Sequence, residues 1–329
     1  MASTIYDIAK KAGVSIATVS RVFNQSSSVS ERTRDKVLAI ADEVGYHPQV
    51  HAQGLASKKS NTIMAVVPVI SNYFFMEVLG GIQDKLREFN YELNIFNVTA
   101  DADFFNQVEH VLKRRWAEGY LFISIHLKDE EWAQLKKFGV PITLIDEFYE
   151  GFDAVSVDNV QGAQRATESL ISHGYKRIAM LSALETSKPI RDRKEGYKNA
   201  LLEAGIPYSE ELVVRGDTLY RDGFTERGGY EAMLKILTME PSVEACFCAS
   251  DIQAVGALKA MQDLNKVIPI IGYDDIELAE YMGLSTIRQP MHDMGYFATQ
   301  TLIDRLKNSE KAISQTIYTP ELILRSSTD

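Results

Sequence analysis

From Thr62 onward, short apolar runs alternate with amphipathic stretches, and this rhythm constrains the fold more than any other feature of the 329-residue chain. Ile63 to Val67 reads as a buried strand, Met76 to Glu88 as a helix, Glu92 to Asn97 as a strand and Phe104 to Trp116 as a helix. Strands at Tyr120 to Ile123 and Ile142 to Ile145 flank a helix at Glu130 to Phe138. Further strands are expected at Ala154 to Val157, Arg177 to Leu181, Leu212 to Val214, Ala245 to Cys248 and Ile268 to Gly272. Strands separated by helix-length segments run parallel, because a chain that returns through a helix re-enters its sheet in the same direction. The expected class is α/β, and the length suits two doubly wound sheets whose strand C-terminal ends face each other across a cleft.

The first 24 residues follow a different rule. Thr4 and Asp7 make a Thr-x-x-Asp capping box, and Ile5, Ile8, Ala9 and Ala12 recur at helical spacing. Gly13 stops that helix, Val14 plugs the corner and Ser15 is placed to cap a second helix beginning near Ile16. Val19 and Val22 point that helix inward, which leaves Ile16, Ala17, Thr18, Ser20 and Arg21 on or beside an outer face able to enter a major groove. Ser30 caps a third helix with Val37, Ile40, Ala41 and Val44 inward, and Gly45-Tyr46-His47-Pro48 ends it.

Charge separates this head from the rest. Residues 1–60 hold eight Lys and Arg against five Asp and Glu, a net of +3, whereas the remainder holds 27 against 40, a net of −13. Only the head suits a phosphate backbone. No apolar run approaches the eighteen residues of a membrane span, and no secretory leader pattern opens the chain, so a soluble, cytoplasmic protein is expected. The two cysteines, Cys246 and Cys248, share one strand face, which excludes a disulfide framework; without a second Cys or His pair they read as packed thiols rather than metal ligands. Neither a metal nor a cofactor is expected.

Polar residues at strand ends mark what the cleft can hold. Asp146 follows the run Ile142 to Ile145, Arg191 and Arg193 follow a loop after Leu181, and Asp274 follows Ile268 to Tyr273. Carboxylates beside Arg suit a polyhydroxylated ligand, since each makes paired hydrogen bonds to neighbouring hydroxyls. Tyr73, Phe74, Phe75 and Phe148 can stack on the apolar face of a sugar ring, or simply pack. Competing assignments are local: Arg193 can brace a surface carboxylate, Asp274 can cap a short helix opening at Ile276, and Asp251 reads as a cap and hinge residue. An enzyme is disfavoured, because the chain has no phosphate-cradling glycine loop, no His-Glu-x-x-His and no nucleophile elbow, and the adjacent Asp274 and Asp275 point different ways.

Tyr6-Asp7-Ile8-Ala9, Ala12-Gly13-Val14-Ser15, Thr18-Val19-Ser20-Arg21-Val22 and Asn24 resemble the lactose and galactose repressor family. Gly45-Tyr46-His47-Pro48, Ala52-Gln53-Gly54-Leu55-Ala56, Gly272-Tyr273-Asp274-Asp275 and Gln289-Pro290 carry the likeness over nearly the whole chain, in highly specific motifs. The resemblance implies a helix-turn-helix head (residues 1–48), a hinge helix (49–60) and a periplasmic-binding-protein type I body. In that body the N-subdomain takes about 61–158 and 291–319, and the C-subdomain about 159–290 and 320–329.

It implies further a homodimeric repressor of carbohydrate genes on a pseudo-palindromic double-stranded operator, controlled by a sugar-type effector in the cleft. Arg21 would read a guanine, Thr18 a phosphate or thymine methyl, and Ile16 and Ala17 the selective bases. Ser15 and Ser20 belong to the same reading block, Tyr6 and Asn24 would hold phosphates, and Leu55 would wedge into the minor groove. Arg193 and Asp274 match the family's main effector ligands and Gln289, Asp146 and Ser250 secondary ones; Phe74, Phe75 and Thr218 match more loosely. The chain ends at Asp329 without a leucine-heptad tail, so a dimer rather than a tetramer is expected. A branch that binds a phosphorylated carrier protein is partly matched by Gln289 to Gly295, but its key Arg is here Gln300, which disfavours that corepressor. A purine-responsive repressor, or a sugar carrier sharing the body alone, are the alternatives.

Overall fold

The computed structural model describes residues 4–23, 28–46, 60–68, 70, 72–99, 103–217 and 223–328. The chain divides into two compact units, a small helical head and a larger α/β body.

The head is α1 (Ile5–Ala12), α2 (Ile16–Phe23) and α3 (Glu31–Glu43). Thr4 starts α1 by donating its N–H (2.9 Å) and its hydroxyl (2.7 Å) to Asp7 Oδ2. Gly13 ends it in the left-handed region at φ 67°, a conformation that costs a residue with a side chain about 1 kcal/mol, and lets the Val14 N–H return to the Ala9 carbonyl at 3.1 Å. Ser15 Oγ then accepts from the Thr18 N–H at 3.1 Å, and Ser30 Oγ from the Thr33 N–H at 3.4 Å, so each following helix has its cap. Ile8, Val19 and Val37 are wholly buried and, with Ala9, Ala12, Val22 and Ala41, close one core; Ile40 and Val44 pack at its margin.

The body begins with β1 (Thr62–Val67), α4 (Tyr73–Arg87), β2 (Glu92–Asn97), α5 (Phe104–Arg114), β3 (Gly119–Ile123), α6 (Asp129–Lys136), β4 (Ile142–Ile145) and β5 (Asp153–Val157). It continues with α7 (Asn159–Ser172), β6 (Ile178–Leu181), α8 (Lys188–Glu203), β7 (Val213–Val214), α9 (Glu226–Ile236), β8 (Ala245–Cys248), α10 (Asp251–Leu264), β9 (Ile270–Asp274), α11 (Glu277–Tyr281) and β10 (Ser285–Arg288). It closes with α12 (Met291–Lys307), β11 (Gln315–Tyr318) and β12 (Glu321–Ile323). One sheet has the order β11-β5-β4-β3-β1-β2 and is parallel throughout; the other runs β12-β10-β9-β8-β6-β7, parallel except for β12 against β10. Both are doubly wound, so each has a switch point, between β1 and β3 and between β6 and β8, where strand ends open a crevice.

The chain passes between the sheets three times: from β5 to α7 at Asp158, from β10 to α12 at Gln289-Pro290, and from β11 to β12 at Thr319-Pro320. After the second passage α12 lies directly on α4, and glycine makes that possible. A Cβ at Gly81 would stand 1.9 Å from the His292 carbonyl oxygen, and one at Gly295 would stand 2.0 Å from that of Val78. Among the described residues no helix is long and apolar enough to cross a membrane. Cys246 and Cys248 on β8 are free, fully buried thiols in the core, and no cluster of three metal-ligating side chains occurs among the described residues.

The strands expected from apolar runs form within two residues of their anticipated ends. A short 3-10 turn, Glu210–Leu212, takes the residue expected to open β7. The strands β10, β11 and β12 carry no long apolar run and go unread in the sequence.

Candidate ligand cleft and nucleic-acid interface

Each cleft residue is set by the end of a strand or the start of a helix. Asp146 follows β4 in the left-handed region at φ 59°, and its Oδ2 accepts from the Ser124 hydroxyl at 2.7 Å, just past β3. Asp274 ends β9 at φ 122° and Asp275 follows at φ 60°, a strained pair that sends the two carboxylates apart. Asp275 pairs with Arg288 and Arg325, whereas Asp274 Oδ1 accepts from Gln289 Nε2 at 2.6 Å and lies 3.9 Å from Arg193 Nη1.

Arg193, on the inward face of α8, is 4% exposed. Its Nε donates to Asn159 Oδ1 at 2.8 Å, its Nη1 to the Ala249 carbonyl at 2.6 Å, and its guanidinium carbon stands 3.7 Å from the Tyr273 ring centroid. Among the described residues its one carboxylate neighbour is the buried Asp274, not a surface carboxylate for it to brace. Burial pushes the Asp274 carboxyl up to about 7, against the opposing pull of Arg193 and the Gln289 bond. Burial also raises Asp146, again opposed chiefly by Arg193. The field of Arg193 therefore reaches carboxylates at the ends of both sheets.

An open pocket lies alongside, lined by Asp146, Glu147 and Phe148 from one sheet and Asn159, Lys188 and Asp192 from the other side. Glu147 accepts from His126 Nδ1 at 2.6 Å, and Lys188 is paired with Asp192. His126, Glu147, Asn159, Lys188 and Asp192 were not marked in the sequence; only their position at strand and helix ends, beside residues that were, signals them. Arg191, by contrast, turns away to the Glu185 and Thr186 carbonyls.

Several expected roles are redistributed. Ser250 is the cap of α10, its hydroxyl accepting from the Gln253 N–H at 3.4 Å and donating to Gln253 Oε1 at 3.1 Å. Asp251 is thus not the cap but the first residue inside the helix. Its buried carboxylate accepts from the Thr286 hydroxyl at 2.6 Å and the Ile276 N–H at 3.0 Å, so it, not Asp274, satisfies the start of the Ile276 turn. Phe74 and Phe75 open α4 edge to face, centroids 5.3 Å apart, and pack into the core at 8% and 7% exposure; Phe148, 44% exposed, is the aromatic that lines the pocket.

In the head, Ser15, Ile16, Ala17 and Arg21 are exposed along one face of α2, with Thr18 and Ser20 half-buried beside them, and Tyr6 is 67% exposed on α1. The Thr18 hydroxyl is within 2.9 Å of Ser15 Oγ, which ties it to the cap. Asn24, Leu55 and Thr218 lie outside the described residues, as does the hinge segment apart from Ser60.

A family model for bacterial regulatory proteins of the lacI family matches residues 4–49. A second, for periplasmic binding proteins and the sugar binding domain of the LacI family, matches residues 60–317. Catabolite control protein A of Priestia megaterium is 35% identical over 97% of this chain and 97% of its own. A solved complex of the transcriptional regulator CelR with cellobiose is 28% identical, with a TM-score of 0.73 and 99% of both chains covered. A lac repressor dimer bound to operator and the anti-inducer ONPF is 25% identical, with a TM-score of 0.83, covering 100% of this chain and 99% of that one. A capped three-helix head followed by two doubly wound sheets, matched along its length by both family models, makes this chain a member of the LacI family, whose proteins are transcriptional regulators and not enzymes.

Proposed function

We propose that the protein is a cytoplasmic, homodimeric repressor that grips a pseudo-palindromic operator and loosens or tightens that grip when a sugar-type effector enters the cleft. The observation that carries the reading is the convergence of Arg193, Asp274, Gln289 and Asp146, drawn from the strand ends of both sheets and from α8. A ligand bridging these groups touches both lobes at once, so its binding free energy favours a closed arrangement over an open one. The cellobiose complex of CelR and the operator-bound lac repressor dimer support the same division of labour between body and head.

In this reading Arg193 and Asp274 grip neighbouring hydroxyls, Gln289 and Asp146 complete the set, and Phe148 stacks on the ring, while Ser250, Phe74, Phe75 and Thr218 have supporting places. Ile16, Ala17, Ser20 and Arg21 read bases; Tyr6, Ser15, Thr18 and Asn24 position the head on phosphates; and Leu55 wedges between base steps. The domain limits are residue 48 for the head, 60 for the hinge, and crossings at 158, 290 and 320 for the two lobes.

A thermal-shift panel of sugars and purines on the full chain tests the effector, with about 2.7 kcal/mol of stabilisation expected at a hundredfold excess over Kd. A shift with hypoxanthine or guanine alone would replace the sugar reading with the purine one. Operator fragments selected from genomic DNA test the rest: a hit whose retention changes with the stabilising ligand is the expected result.

A further inference from the structure

The hydrogen-bonding capacity of the cleft is lopsided. Of its cationic donors, Arg193 gives Nε to Asn159 and one Nη1 hydrogen to the Ala249 carbonyl, and Lys188 is paired with Asp192. Its acceptors stand open. Gln289, 3% exposed, uses its amide nitrogen on Asp274 and leaves its buried Oε1 without a donor. Asp146, 8% exposed, receives the Ser124 hydroxyl on Oδ2 and lines the pocket. Around the pocket itself stand three carboxylates, Asp146, Glu147 and Asp192, against the one ammonium of Lys188.

We infer that this cleft takes a ligand bringing hydroxyl donors and no negative charge, and that it rejects phosphorylated or carboxylated sugars; the inference rests on the sugar reading above and narrows it. A phosphate ester offers acceptors to a site already rich in them. Anywhere along the pocket, the ester's charge would face the Asp146, Glu147 and Asp192 carboxylates with only the one, already paired, Lys188 ammonium beside them. A neutral polyol meets the opposite situation, because each hydroxyl can donate to Gln289 Oε1, Asp146 or Asp274 with no bond broken.

Calorimetric titration of the full chain with matched pairs decides it: cellobiose, glucose and ribose against glucose 6-phosphate, ribose 5-phosphate and glucuronate. The parent sugar that binds is expected to exceed its phosphate or acid by at least about tenfold, the scale of a like-charge contact in a desolvated site. Asp146→Asn, which keeps shape and folding, is expected to narrow that gap by at least about threefold. Inorganic phosphate alone is expected to leave the melting temperature unchanged. Overturning results are a phosphate ester that binds more tightly than its parent, or stabilisation by inorganic phosphate that Arg193→Gln abolishes; either would leave the sugar reading intact. A response to purines only would overturn the sugar reading and this inference with it.

Discussion

At Asp274 a carboxyl is held in a place where ionisation is costly, and the price is visible as a link between pH and stability. Its folded value near 7 stands above the ordinary 3.8. Between those limits the folded chain holds a proton that the unfolded chain has released, so unfolding becomes easier as pH rises from about 4 to 7, and the trend stops above 7. Asp274→Asn removes this contribution, together with the repulsion Asp274 exerts on the buried Asp251. The stability of the parent minus that of the variant, from chemical denaturation at stepped pH, is expected to fall as pH rises through that window and to level off above it. A difference that does not vary with pH would mean that Asp274 is ionised throughout.

Arg21, exposed on α2, offers a complementary test in the head: Arg21→Ala is expected to cost about 1–3 kcal/mol of operator affinity and to relax one base preference in competition binding at fixed salt. Uniform weakening across sequences would make it a phosphate contact instead. These residues were legible because each sits in a local motif at a strand or helix end. Asn159 and His126 were not, because their significance comes from partners 34 and 21 residues away, and Lys188 was not, because its pairing with Asp192 is an ordinary one-turn helix pair that only the fold sets beside Asp146 and Glu147. The Asp251 error has the same origin: sequence places a carboxylate at a helix start, but only the fold brings Thr286 and Ile276 within its reach.

Among the elements, legibility follows where the apolar residues fall. The strands β1, β3, β4, β8 and β9 are buried along their whole length and appear as continuous apolar runs, as central parallel strands do. β10 is equally central but begins Ser285-Thr286, both fully buried, and it holds their hydroxyls by bonds to the Arg325 carbonyl and to Asp251. β11 and β12 lie at sheet edges with partly exposed side chains, so neither shows a run. A buried polar strand is unreadable until its partners are known.

The α4–α12 contact carries its own prediction. Because a methyl at residue 81 would collide with the His292 backbone, the two helices must separate to admit it, and Gly81→Ala is expected to cost about 1–3 kcal/mol, read as a lowered denaturation midpoint. Gly174, with no atom within 4 Å of its would-be Cβ, has φ 94°, so a comparison at that site would report backbone strain rather than packing. An unchanged midpoint in Gly81→Ala would show that the helices approach less closely than the backbone contact requires.

For the whole molecule, the consequence of joining a cationic reader to an anionic sensing body is thermodynamic, and it holds whichever way the geometry transmits it. If a sugar changes operator affinity by some factor, the operator must change sugar affinity by the same factor, since both routes connect the same free and doubly bound states. Couplings of this kind are typically about 1–3 kcal/mol, which corresponds to about 5- to 150-fold in either constant. Sugar Kd measured with and without saturating operator, and operator Kd measured with and without saturating sugar, are therefore expected to shift by equal factors. Arg193→Lys separates binding from coupling: it keeps the charge but loses the paired, planar donors that reach Asn159 and Ala249 together, so sugar affinity is expected to drop while sugar-free operator affinity stays within about twofold. Equal factors in the parent chain, with operator binding preserved and sugar response lost in the variant, would tie the regulatory switch to the cleft. Operator binding that collapsed in the variant without any sugar would instead make Arg193 a structural support of the body, and the ligand grip would have to be assigned to Asp146, Asp274 and Gln289 alone.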